Sequence, residues 1–185
     1  ISKEPFLLRS AMNSILVFTA GYVVFRAYQP LLTDIGVGVL ALSLLYFFSH
    51  GGSFLGKWFL GTLLKVVRLS TILHITVFIL LISASIGAVS QNPWVVYPTL
   101  LIFMTLAAAR EPVFTEAVNR RIGSSQRATT LSNLAFISGL INVPIFLLAG
   151  HLALTDVQYP IWISVALIGL VIVFFSVKSE EVDLK

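Results

Sequence analysis

The chain has 185 residues, of which 57% are hydrophobic and 11% charged, with a formal net charge of +4 and a mean hydropathy of +0.96. A soluble domain carries about 25% charged residues, so the expected solvent is lipid, and the absence of cysteine excludes a disulfide framework and a thiolate metal site. The positive charge does not imply a nucleic-acid partner, because the basic residues form short clusters between apolar runs rather than one soluble face.

Residues 1–10 form a cytoplasmic lead-in or linker without the short apolar core and cleavage site of a signal peptide. The chain starts at Ile1 rather than Met, so the expectation is a fragment of a longer product, or a processed one. A bilayer core of roughly 30 Å takes about 20 apolar residues in a helix. Six runs qualify, at 11–31, 37–60, 69–90, 93–117, 129–152 and 159–177, followed by a cytoplasmic tail at 178–185. Turn chemistry separates them: Asp34 with Gly36 and Gly38, the "VVRLS" segment (66–70), Gln91-Asn92-Pro93, Gly123-Ser124-Ser125, and Thr155-Asp156. Ser70 is placed to cap the third helix, and Ser124 or Ser125 the fifth. Backbone groups in hydrocarbon must be paired within their own segment, so each run is predicted to be a helix. The alternating segments of a membrane barrel are absent.

Ten of the twelve Lys and Arg residues fall in the two termini, the second-to-third loop and the fourth-to-fifth loop. An excess of Lys and Arg marks the cytoplasmic side, so both termini are expected there, in a cell (inner) membrane. The other two, Arg26 and Arg110, lie within spans. Span six has no charged residue and span three only His74 as an ionisable group in its body, so both are expected to face lipid; the other four, with Arg26, Gln29, His50, Arg110, Glu111, Asn133 and Asn142, are expected to line something wet. The chain also resembles itself. "QPLLTD" (29–34) aligns with "EPVFTE" (111–116), and "LSLLYFFS" (42–49) with "LSNLAFIS" (131–138). Span one then matches four and two matches five, a three-plus-three repeat of inverted topology, a transporter construction.

Several residues carry candidate chemistry. A charge at bilayer depth costs roughly 2.5–3.5 kcal/mol on insertion scales, so it faces a cavity or a partner. Arg110 and Glu111 are adjacent and point about 100° apart, so each is expected to reach another helix, either as substrate-contact or proton-coupling groups or as an interhelical latch. Pro112 loosens the backbone beside them. Arg26 shares a face with Tyr22 and Gln29, which reads as a cavity wall or as an arginine snorkelling outward to water or to Asp34. His50 titrates in the range that suits proton coupling, or packs as a hydrogen-bonded core residue. Gly52 and Gly56 suit close helix approach. Asn133 and Asn142 either bind substrate or join helices. Glu116 and Arg120 form an i, i+4 pair, mostly structural. His74 reads as a lone buried polar group, and His151 as interfacial. Trp94, Tyr97, Tyr159 and Trp162 read as interface anchors. The three histidines lack metal-ligand spacing, and no cofactor is expected. An enzyme reading is set aside: His50 and Ser53 share one helix and lack the partners a serine nucleophile needs.

The stretch "REPVFTEAVNRRIGSSQRATTLS" (110–132) resembles the penultimate hairpin of the major facilitator superfamily, with Arg110, Pro112, Asn119, Arg127-Ala128-Thr129 and Leu131-Ser132 in its pattern. "AYQPLLTDIGV" resembles the end of the first helix of that family's second half. The resemblance implies an all-α membrane protein, the C-terminal six-helix half of a twelve-span transporter. Spans three and six would lie outermost, and a small organic solute would move between two halves by alternating access, with proton-coupled efflux as one mode the resemblance allows. It implies partners as well: the bilayer, a solute, protons, and the missing N-terminal half or a second six-span subunit. Arg26, Gln29, His50, Arg110, Glu111 and Asn142 are the expected cavity or coupling residues. Pro112, Glu116, Asn119, Arg120 and Arg127 are the expected gating hairpin. One departure is the second-to-third loop, "GKWFLGTLLKVVR", which lacks the family's aspartate. The rival expectation is a six-helix structural or assembly module with no pathway of its own.

Overall fold

The computed structural model describes residues 5–63, 65–121 and 127–177; side chains at 5–7, 48, 49, 52, 53, 56, 57, 60 and 111–121 are outside that description. The described residues form six helices and no strand: α1 (Pro5–Asp34), α2 (Val39–Leu63), α3 (Leu69–Val89), α4 (Pro93–Arg121), α5 (Arg127–Ala153) and α6 (Tyr159–Phe174). Each overlaps one apolar run of the sequence. Most extend beyond it, because a helix continues into the interface after its apolar residues end. By length and composition, segments of α1, α3, α4 and α5 are able to cross a bilayer. The shorter α6 has 16 residues, about 24 Å at 1.5 Å each.

The turns follow from local chemistry. α1 ends in a Schellman arrangement: Val37 N–H donates to Leu32 O at 2.8 Å, with Gly36 at φ +84 in the left-handed region. Asn92 Oδ1 accepts from the Trp94 N–H at 3.0 Å, so the Asn-Pro break is a helix start. Asp156 Oδ1 holds the last turn through the Gln158 N–H at 2.8 Å. The expected Ser70 cap does not form. Arg68 occupies the N-cap position without a side-chain bond, and Ser70 lies inside the helix. The expected Ser124 or Ser125 cap lies outside the described residues.

α1 and α4 form the centre. α1 packs on α6, α4 packs on both α2 and α3, α1 crosses α4, and α3 meets α6. The α1–α4 crossing is tight because it is built from small residues. A Cβ added at Gly21 would sit 3.3 Å from Ala107 Cβ. Around it lie Ala20, Val24, Leu100 and Phe103, all fully buried. Between apolar helices in lipid, such close contact supplies the dispersion that the hydrophobic effect cannot. A smaller cluster, Ile72, Leu73, Ala109 and Val177, closes the end near Arg110.

α2 and α5 are the most open helices. Phe47, Phe54 and Trp58 on α2 and Phe136, Leu140 and Leu147 on α5 stand exposed. An apolar surface of this extent exceeds what a soluble monomer leaves in water. The expected lipid-facing spans α3 and α6 show one exposed apolar face each, through Ile75, Phe78 and Ile82 and through Leu170, Val173 and Phe174, while their other faces are buried.

Candidate functional site

Arg110 is the largest fully enclosed side chain among the described residues, at 2% exposure. It reaches from α4 to two other helices. One terminal nitrogen donates to Leu73 O at 2.7 Å and to Thr76 Oγ1 on α3. The other donates to Asn13 Oδ1 on α1 at 3.1 Å. Asn13 in turn donates to Phe175 O at 2.9 Å. That carbonyl sits at the C-cap of α6, where no intrahelical donor is available. One arginine and one asparagine thus tie four helices together. Beside them, His74 bonds Ser70 O at 2.6 Å and Ser176 Oγ at 2.7 Å. His74 is therefore not the lone polar group the sequence suggested. Asn13, His74 and Ser176 border a small cavity of about 70 Å³, room for water where polar partners surround it.

A second polar seam joins α1 to α5. Thr19 Oγ1 donates to Asn142 Oδ1 at 2.5 Å, and Asn142 Nδ2 donates to Ser138 Oγ at 3.3 Å. Seven residues along α1, on nearly the same face, the Arg26 guanidinium lies 5.8 Å from the centre of the Phe146 ring, within cation–π range. Tyr22 lies between them, its ring 6.0 Å from that of Phe146. The expected stripe of Tyr22 and Arg26 thus faces α5. Above it a cavity of about 430 Å³ opens among α1, α5 and α6.

The remaining candidates are scattered. Gln29 is exposed and donates to the Tyr28 hydroxyl at 3.2 Å. His50 is exposed on α2, its Nδ1 donating to Tyr46 O at 2.9 Å, with its ring 4.2 Å from the Tyr46 ring. Phe25 of α1 approaches that pair at 6.3 Å from His50. Asn133 is exposed near the start of α5, Arg127 is exposed as its first residue, and His151 is exposed in its last turn. Among the expected anchors, Trp94 is 87% exposed and Tyr159 and Trp162 are also open. The Tyr97 hydroxyl turns inward to Ala41 O at 3.1 Å. Glu111, Pro112, Glu116, Asn119 and Arg120 lie on α4, but their side chains are outside the described residues, as are Gly52, Ser53 and Gly56 of the expected close-approach motif. Arg26 and Asn142 therefore share one seam. His50 lies across α1 on the α2 side, and Arg110 is enclosed apart from both.

Asn13, Thr19, Thr76 and Ser176 were not singled out from sequence. Depth offers a signal for two of them. At 1.5 Å per residue, Asn13 and Thr76 lie about 10–12 Å inside the ends of α1 and α3, and Arg110 about 16 Å inside the end of α4, all at one side of the bundle.

No family model, curated protein or solved structure matches the chain. The fold and the buried polar chemistry define a helical membrane protein.

Proposed function

We propose that the chain is one six-helix half of a secondary active transporter of the major facilitator kind, moving a small organic solute by alternating access. The packing carries this reading. Exchanging α1 with α4, α2 with α5 and α3 with α6 maps the α1–α6 contact onto α4–α3, and maps α1–α4 and α3–α6 onto themselves. A three-plus-three repeat would carry this relation, which supports the repeat read from the sequence, although among the described residues α5–α6 has no comparable α2–α3 contact. The open faces of α2 and α5, with α1 and α4 behind them, would meet a second six-helix half, leaving α3 and α6 outermost. Six spans with both termini cytoplasmic follow from the Lys and Arg distribution.

In this reading the α1–α5 seam with Arg26 and Asn142 contributes to the solute wall, together with Gln29 and His50. Glu111 couples protons. The segment from Pro112 through Arg127 works the cytoplasmic gate. Arg110 holds the helices in place beside Glu111. The test is Glu111→Gln in sealed vesicles, with a panel of small organic solutes. Gradient-driven movement is lost and counterflow exchange persists; normal uptake under a proton gradient would remove the coupling role.

A six-helix structural module is the second reading. The enclosure of Arg110 among α1, α3 and α4 favours it, because a sealed charge is what a bundle without a pathway requires.

A further inference from the structure

The two α1–α5 and α4–α2 contacts, equivalent under the exchange above, differ in closeness. α2 lies close along α4, whereas α5 meets α1 only sparsely. The space left by that splay is the cavity of about 430 Å³ at the end of the bundle where α1 and α5 stop and α6 begins. This lies within the range of small-molecule sites, about 300–1,000 Å³. One wall carries Arg26; the others are apolar and mostly small, with Phe146, Ala149 and Ala153 on α5 and Val157 and Pro160 leading into α6.

Among the described residues no carboxylate pairs with Arg26, and its only side-chain partner is the Phe146 ring. Asp156, the acid at this end of α5, spends an oxygen on the Gln158 N–H. A guanidinium on an aromatic face keeps its N–H edge available. That edge matches a carboxylate or phosphate with two parallel hydrogen bonds. The rest of the cavity offers only dispersion and exclusion of water.

We propose that this cavity binds an amphiphilic anion, its oxyanion head on the Arg26 edge and its apolar body against Phe146, Ala149 and Ala153. The head is supplied either by an anionic lipid of the bilayer or by a soluble organic acid with an alkyl or aryl body. Both present the same chemistry to Arg26. The site requires no transport by the chain, and its failure would leave the transporter reading standing.

The test uses the full chain in phosphatidylcholine nanodiscs and a laurate analogue carrying a mid-chain diazirine. Photolabel is expected to concentrate in peptides holding residues 23–30 and 146–160. Arg26→Gln is expected to weaken labelling about tenfold, as loss of one charge-assisted contact implies, while Arg26→Lys retains part of it. In the wild-type protein, the matching diazirine amine and alcohol are expected to leave these peptides unlabelled, a comparison that does not depend on any variant folding. Competition by phosphatidylglycerol in the disc identifies a lipid source, and competition by added unlabelled laurate alone a soluble acid. Equal labelling along the exposed faces of α2 and α3, equal labelling by the amine, or label unchanged in Arg26→Gln would each overturn the proposal.

Discussion

Asn13 carries two loads, and a thermodynamic cycle separates them. In Asn13→Leu the Arg110 guanidinium loses one of its acceptors, and Phe175 O at the end of α6 loses its donor. A hydrogen bond to a charged group contributes about 1.5–3 kcal/mol and a neutral one about 0.5–1.5 kcal/mol, so the expected cost is about 2–4.5 kcal/mol. Arg110→Met behaves differently. It removes a charge held out of water, which offsets the loss of contacts. Thr76 keeps its bonds to Ile72 O and Leu73 O at 2.8 and 3.1 Å, and Asn13 Oδ1 is the group left wanting. In the Arg110→Met background, Asn13→Leu then costs only the neutral bond to Phe175 O, about 0.5–1.5 kcal/mol. The assay is reversible unfolding of the full chain in mixed detergent micelles for the wild type, both single variants and the double variant. The expected coupling is about 1.5–3 kcal/mol. Equal costs of Asn13→Leu in the two backgrounds, within about 0.5 kcal/mol, would refute a shared network.

Other substitutions probe the remaining contacts. Thr19→Val removes the donor to Asn142 and is expected to cost about 0.5–1.5 kcal/mol; unchanged stability in the same assay would show that α1 and α5 are not held there. Gly21→Leu drives a side chain into Ala107 and is expected to cost at least about 1–3 kcal/mol. Gly139→Ala, which meets nothing within 4 Å, is expected to be neutral or stabilising by about 0.5–1 kcal/mol. Equal effects at these two glycines would argue against a close α1–α4 crossing. Ser176→Ala frees His74 Nε2 from the segment after α6, and faster amide exchange is expected at residues 171–177; an unchanged exchange pattern would mean that the His74–Ser176 bond does not hold this end.

The helices were legible because lipid imposes a simple rule. Apolar runs of about 20 residues must satisfy their own backbone, and Gly36, Asn92 and Asp156 mark the breaks with side-chain or glycine chemistry that acts locally. The partners of Arg110 were not legible. A buried arginine announces that it needs acceptors, but not which neutral oxygens at its depth provide them. Asn13 and Thr76 look like ordinary polar residues in apolar helices until three helices cross. Ser70 misled for a related reason: a serine near a helix start suits a cap, yet α3 begins one residue before it, at Leu69. The Arg26 stripe was readable from i, i+4 spacing with Tyr22. That it faces α5 and Phe146 depends on how the helices pack, which spacing does not encode. The Arg26 cavity depends on how loosely α5 packs on α1, which the residues of these helices do not announce one by one.

The transporter reading stands on water reaching the α1–α5 seam. The chain has no cysteine, so Arg26→Cys and Asn142→Cys each place a single thiol on a clean background. A membrane-impermeant, water-soluble thiol reagent applied to each side of the bilayer then reports access at two depths. The transporter account predicts labelling at both positions, including the half-buried 142 site. A 142 thiol that stays unlabelled from both sides would contradict it and leave a sealed six-helix module.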